Sequence, residues 1–114
     1  MCGILYVVGT PIGNLADLTR RAENTLQTVD LIAAEDTRVS RKLLNHYAIQ
    51  TPLIAYHDKN ERSQADKLIS RLIIGENIAL ISDAGTPCIS DPGYRLVHSA
   101  RKANIEVIAI PGPS

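Results

Sequence analysis

Five segments of this sequence carry residue types that do chemistry, and each directly follows an aliphatic run. They are Gly9-Thr10-Pro11-Ile12-Gly13-Asn14, Glu35-Asp36-Thr37-Arg38, His57-Asp58-Lys59-Asn60-Glu61, Ser82-Asp83-Ala84-Gly85-Thr86-Pro87 with Ile89-Ser90-Asp91-Pro92-Gly93, and Pro111-Gly112-Pro113-Ser114. Glu35, Asp36 and His57 are the proton acceptors of this set, the residue types that general-base chemistry requires. The Gly- and Pro-rich segments suit a backbone that comes close to a ligand, because glycine removes the Cβ that would keep it away. Asp83 to Pro87 is the hardest to read as a simple turn. Gly9 to Gly13 is not a G-x-G-x-x-G phosphate loop, and Pro11 removes an amide that such a loop would offer.

Plainer roles exist for most of these residues. Asp36 or Thr37 can cap a helix, with Glu35 solvated beside it. His57 can be a surface histidine, Asn60 and Glu61 can simply open the next helix, and Asp91-Pro92-Gly93 is a good helix start. Arg38, Arg41 and Lys42, and likewise Arg95, Arg101 and Lys102, read as solvated helix faces. Cys2 and Cys88 fit neither a zinc site nor a disulfide framework, which points to a reducing, cytoplasmic setting and to no metal.

The elements that must position these groups are legible as alternation. Short, Ile/Val-rich runs at Ile4–Val8, Leu31–Ala34, Leu53–Ala55, Ile78–Ile81 and Val107–Ile110 have the near-continuous apolarity of parallel strands covered on both faces. Between them lie helical stripes. Ala22, Leu26 and Val29 follow Thr19 as N-cap; then come Val39, Leu43, Leu44 and Tyr47; then Ala65, Leu68, Ile69, Leu72 and Ile73; then Leu96, Val97, Ala100 and Ala103. Gly75-Glu76-Asn77 stops the third helix. The pattern predicts an α/β fold, an open parallel sheet with helices on both faces. In such folds ligands bind at the carboxyl ends of the strands, where all five unusual segments fall.

Composition sets the outer limits. The chain has 114 residues, 45% of them apolar and 21% charged, the profile of one globular domain rather than a disordered chain. With 12 basic and 12 acidic side chains it carries no overall basic footprint, and with no Phe or Trp it lacks a row of aromatics for stacking bases. Its longest apolar stretch, Ile4–Val8, is far too short to span a membrane, and no cleavable leader is evident. The Pro-Gly-Pro-Ser loop after the last strand leads us to expect a longer protein of which residues 1–114 are the N-terminal domain.

Val7–Thr19, Ala33–Arg38, Ser82–Gly93 and the terminal Pro-Gly-Pro-Ser, taken together and in order, resemble the tetrapyrrole methylase superfamily, and within it the subgroup that modifies ribosomal RNA. The resemblance covers essentially the whole chain. It implies a five-stranded sheet in the order 3-2-4-1-5 and S-adenosylmethionine (AdoMet) as cofactor, held in a cleft between this domain and a second one. It implies that Thr10, Pro11, Asp83, Gly85, Thr86, Pro87, Ile89 and Ser114 contact the cofactor. Thr86 stands where other members of the superfamily carry an Asp, and Asp83 is the nearby carboxylate. The implied reaction is methyl transfer to the ribose 2′-oxygen of a cytidine in small-subunit rRNA, with Glu35, Asp36 and His57 as candidate bases. Relatives are often homodimers. A methylase of tetrapyrroles or other small molecules is the alternative of the same fold. A nucleotide-binding Rossmann-like module without catalysis is the other, since Glu35 lies about 20 residues after Gly13, near the spacing of a ribose-binding acid.

Overall fold

The computed structural model describes residues 1–10, 17–57, 59–82 and 93–112. The chain runs β1 (Ile4–Gly9), α1 (Arg20–Thr28), β2 (Leu31–Ala34), α2 (Thr37–His46), β3 (Leu53–Ala55), α3 (Glu61–Ile73), β4 (Ile78–Ser82), α4 (Gly93–Lys102) and β5 (Glu106–Ile110). The strands form one sheet in the order β3-β2-β4-β1-β5, every pairing parallel. The expected fold and strand order are both observed.

This order dictates the layering. A parallel crossover is right-handed, so connections that move in opposite directions along the sheet must lie on opposite faces. β1 to β2 and β2 to β3 move one way, which puts α1 and α2 on one face. β3 to β4 and β4 to β5 move the other way, which puts α3 and α4 on the second. The two buried clusters follow this division. Leu68, Leu72, Leu96, Val97 and Ala100 of α3 and α4 pack on Leu5, Val7, Leu31, Ala33, Ile78 and Leu80. Ala22, Leu26, Leu43 and Leu44 of α1 and α2 pack on Val8, Ile32, Ala34, Ala79 and Ile81. Alternate residues of each central strand serve alternate faces, as a pleat requires.

The helices are bounded as their sequences demand. Thr19 caps α1, its Oγ1 accepting from the Ala22 amide at 3.1 Å. Three helices end in the same hydrogen-bond pattern. Ile49 N–H donates to the Leu44 carbonyl and Ala48 N–H to Asn45. Glu76 and Gly75 donate to Arg71 and Leu72, and Ile105 and Asn104 to Ala100 and Arg101. This is the Schellman closure, which needs a left-handed residue, supplied here by Ala48 (φ 55°), Gly75 (φ 107°) and Asn104 (φ 61°). Two stripe residues depart from expectation. Val39 is 56% and Ile73 50% exposed. In α2 the inward position of the first full turn goes to Ser40, one residue on. In α3 the buried side is centred on Leu68 and Leu72, so Ile73 rotates past its rim.

The amino edge of the sheet is closed by hydrogen bonds. Gly3 N–H donates to the Leu72 carbonyl at 2.7 Å and Asp30 N–H to the Asn77 carbonyl at 2.8 Å. Asn77 Oδ1 accepts from the Ile4 amide at 2.8 Å, and the Asn77 amide donates to Asp30 Oδ2 at 2.8 Å. A Cβ on Gly3 would overlap the Glu76 carbonyl. No helix among the described residues is long and apolar enough to cross a membrane.

Two substitutions test this account by thermal unfolding. Ala48→Gly relieves an L-residue held in the left-handed region and is expected to stabilise by about 0.5–1 kcal/mol, the strain relief exceeding the added chain entropy. Gly3→Ala forces the amino edge apart and is expected to cost about 2 kcal/mol. An unchanged midpoint in either variant contradicts the corresponding contact.

Candidate functional site at the carboxyl edge of the sheet

The strand order creates a switch point at the opposite edge. β1 and β4 are neighbours, with Gly9 beside Ser82, yet the connections that leave them go to opposite faces. That divergence is the topological switch point at which open α/β sheets bind ligands. β5 lies against the other side of β1, with Ile110 beside Val8. The ends of β4, β1 and β5, from which three Gly/Pro-rich segments depart, are therefore side by side.

Of the residues that the resemblance assigns to the cofactor, Thr10 lies within the described structure. It follows Gly9 directly and is 4% exposed. Pro11, Asp83, Gly85, Thr86, Pro87, Ile89 and Ser114 lie outside the described residues. The strand tips Gly9, Ala34 and Ser82 are all small. Small tips, a buried hydroxyl-bearing residue and a switch point fit a ligand laid across the strand ends.

The proton-accepting candidates gather at the other half of the same edge. Ala34 and Ala55 are register partners, and Tyr56 N–H donates to the Ala34 carbonyl at 2.8 Å. Glu35-Asp36 and His57 thus leave two adjacent strands at the same level. Ala33 pairs with Leu80, so two residues on, Glu35 comes level with Ser82 and the two halves of the edge meet. Asp36 has the capping role: its Oδ1 accepts from the Arg38 and Val39 amides at 3.0 and 3.4 Å. Glu35 is solvent-exposed. His57 is half-buried, and its Nδ1 is buried without a hydrogen-bond partner.

Two residues of this corner have roles that their place in the sequence does not show. Asn60 is the N-cap of α3 but makes no capping bond. Its Oδ1 accepts from the His57 amide at 2.9 Å and its Nδ2 donates to the Ala55 carbonyl at 3.0 Å. Tyr56 is almost wholly buried, 1% exposed. Burial pushes its phenol up to about 12, with the nearby Glu61 charge adding to the rise and Arg95 opposing it. Glu61 and Arg95 pair at 3.3 Å and link α3 to α4 above the strand ends. A Tyr at the end of a strand run, in a chain with no Phe or Trp, was the available signal for that position.

Comparison with known proteins now identifies the architecture. The family model for tetrapyrrole (corrin/porphyrin) methylases matches residues 4–114. This chain belongs to the tetrapyrrole methylase family. The family draws its methyl group from AdoMet. Among solved structures, the chain superposes on uroporphyrin-III C-methyltransferase from Thermus thermophilus with a TM-score of 0.77 at 22% identity, covering 100% of this chain and 49% of that one. It also superposes on the cobalamin-biosynthetic cobalt precorrin-4 methyltransferase with a TM-score of 0.79 at 16% identity, covering 97% and 46%. At these identities the likeness is one of fold. In sequence, the chain is 64% identical over 110 residues to ribosomal RNA small subunit methyltransferase I of Synechocystis, covering 96% of this chain and 39% of that protein. It is 59% identical over 111 residues to the protein of the same name from Escherichia coli O157:H7, covering 97% and 39%. The chain thus spans about two fifths of the length of the curated relatives it matches.

The Tyr56 environment yields a pH prediction. Its phenol binds its proton more tightly folded than unfolded, so the folded state holds the extra proton between pH 10 and about 12. Its contribution to stability is fully present below pH 10 and is lost as the pH rises toward 12. Ultraviolet titration is expected to show one of the four tyrosines ionising well after the ordinary range. Tyr56→Phe is expected to remove that late step and to flatten the alkaline loss of stability. A late step that persists in the variant contradicts the assignment.

Proposed function

We propose that this chain is the cofactor-binding domain of an AdoMet-dependent methyltransferase that acts on small-subunit ribosomal RNA, at the ribose 2′-oxygen of a cytidine. The observation that carries the reading is the 64% identity, over 96% of the chain, to a protein named as a ribosomal RNA small subunit methyltransferase. Identity at that level exceeds what a shared fold alone requires, as the tetrapyrrole enzymes at 16–22% illustrate. In this reading the protein works on the ribosomal subunit, in the cytoplasm.

In this reading Thr10, Pro11, Asp83, Gly85, Thr86, Pro87, Ile89 and Ser114 hold AdoMet against the ends of β1, β4 and β5. AdoMet supplies a methyl group made electrophilic by its sulfonium. The chain's own residues bind and orient that donor, and the β2–β3 corner faces the acceptor. Methyl transfer is an in-line displacement, and holding the reacting atoms collinear accounts for much of its acceleration. A ribose hydroxyl is a weak nucleophile at neutral pH, so a proton acceptor at its oxygen adds a further factor. Glu35, Asp36 and His57 are the candidates. Asp36 is the least available, because its carboxylate already accepts two amides of α2.

A second domain completes the cleft. A donor bound to residues 1–114 alone leaves much of its surface in water, whereas small-molecule sites bury most of theirs. The deciding experiment is methyl transfer from labelled AdoMet to small ribosomal subunits, with primer extension to locate the modified ribose. The full-length protein, meaning this chain continued to the length of its relatives, is expected to modify one cytidine. The 114-residue chain alone is expected to fold, to bind AdoMet at least about a hundredfold more weakly and to transfer nothing. Gly85→Val in the full-length protein is expected to raise the AdoMet dissociation constant about tenfold or more by blocking close approach of backbone to ligand. Transfer to a small molecule instead of RNA, or equal turnover by the short chain, overturns the reading.

A further inference from the structure

We propose that Asn60 is a positioning residue that fixes the turn after β3 so that His57 presents Nε2 as the proton acceptor for the ribose hydroxyl. The inference rests on the methyl-transfer reading above and selects one of its three candidate bases.

One expected hydrogen bond at the start of α3 is not made. Asn is among the best N-cap residues, and a capping bond is worth about 1 kcal/mol. Asn60 stands at the N-cap of α3 and forgoes it. Its side chain turns back toward the strand, where Oδ1 accepts from the His57 amide at 2.9 Å and Nδ2 donates to the Ala55 carbonyl at 3.0 Å. The Asn60 amide itself donates to the His57 carbonyl at 3.1 Å. His57 is therefore held at both its N–H and its C=O by one residue. Gln64 adds a second donor to the Ala55 carbonyl at 3.4 Å. The turn is anchored at the last residue of β3 and on both sides of the histidine backbone.

The ring completes the case. Buried polar atoms nearly always have a partner, and one without a partner calls for a reason. Nδ1 of His57 is such an atom among the described residues. With Nδ1 enclosed, a ligand meets the ring at Nε2, and the proposed role requires the tautomer with its proton on Nδ1, which leaves a lone pair on Nε2. A histidine ring is the side chain most often used to take a proton from a reacting group. Glu35, one strand away, is exposed and unanchored, and Asp36 is committed to α2. The hydroxyl proton passes to Nε2, and the oxygen uses the electron pair of the O–H bond to form its bond to the methyl carbon. The pair of the broken sulfur–carbon bond stays on sulfur, and the imidazolium returns its proton to water.

The test uses the full-length protein with small ribosomal subunits. His57→Ala is expected to lower kcat by about a hundredfold or more, with AdoMet affinity by calorimetry changed less than about twofold, and added imidazole is expected to restore part of the rate. Asn60→Ala is expected to lower kcat about tenfold or more at unchanged AdoMet affinity. In the same variant, hydrogen exchange at the His57 amide is expected to rise about tenfold or more, while the core strands keep their protection. Asn60→Asp retains the acceptor for that amide and is expected to recover both protection and rate. A His57→Ala enzyme that keeps more than a hundredth of its rate, or that loses AdoMet affinity in proportion, overturns the proposal while leaving the methyl-transfer reading intact. So does an Asn60→Ala protein with an unaltered His57 amide. A parent enzyme that methylates no RNA overturns both.

Discussion

The position of β4, inserted between β2 and β1 and hydrogen-bonded in parallel to both, is the constraint on which the rest of the molecule depends. β4 comes fourth in the chain yet lies between β2 and β1, so α3 must carry the chain from the edge strand β3 back across β2. Ile78, Ala79 and Leu80 are buried on both faces, with exposures of 0, 0 and 4%. Only unbroken apolarity meets that demand, and the sequence Ile-Ala-Leu-Ile supplies it. Once β4 is in place, handedness assigns α1 and α2 to one face and α3 and α4 to the other. The switch point after Gly9 and Ser82, where the connections part to opposite faces, is then a geometric consequence and needs no further device.

The two edges of the sheet use polar groups differently. At the amino edge, the Asp30 amide and carboxylate bond to the Asn77 backbone, the Asn77 side chain accepts from Ile4, Gly3 bonds to Leu72, and Arg71 grips Glu76 through two nitrogens at 2.8 and 3.0 Å. That pairing also raises the Arg71 guanidinium further above its ordinary range, chiefly through the hydrogen bond to Glu76. These groups satisfy one another. At the carboxyl edge Glu35 stays in solvent and a nitrogen of His57 goes unpaired. An unpaired buried atom costs stability. The closed amino edge lets the fold carry that cost at the end where ligands bind.

Much of this was legible in the residues, for identifiable reasons. β2 coincides with its aliphatic run because burial on both faces sets its limits, and β3, the half-buried edge strand, coincides with its own run as well. β1, β4 and β5 extend one residue further, to Gly9, Ser82 and Glu106, because a ladder needs only backbone there. Thr19 was readable as a cap, since its role depends on near neighbours alone. The order of the strands was not readable from the runs, because any set of parallel strands alternates with helices in the same way. It came from the resemblance of four motifs to a family. Asn60 shows the opposite limit. Its residue type is right for a helix cap, and nothing local reveals that its amide turns back to Ala55 and His57. That choice is made by the end of β3, which is fixed only when β3 pairs with β2.

Tyr56 ties the corner to the core. In a chain without Phe or Trp it is the largest of the fully buried side chains, and it belongs to the cluster that unites Leu68 and Leu72 of α3 with Leu96 and Val97 of α4. An aromatic ring fixed in an aliphatic core has few ways to move, since dense packing leaves no space for a second rotamer. The next residue in sequence is His57, so the backbone that carries the imidazole leaves directly from a buried ring. Glu61, whose side chain is 12% exposed, and Arg95 close over the same region from the starts of α3 and α4. Burial of the neutral phenol and the ion pair above it both resist separation of α3 from α4. Asn60 needs to set only the last turn between Tyr56 and α3. The precision available at His57 thus derives from packing two layers below the surface, where a change in any one of several aliphatic residues would reach it.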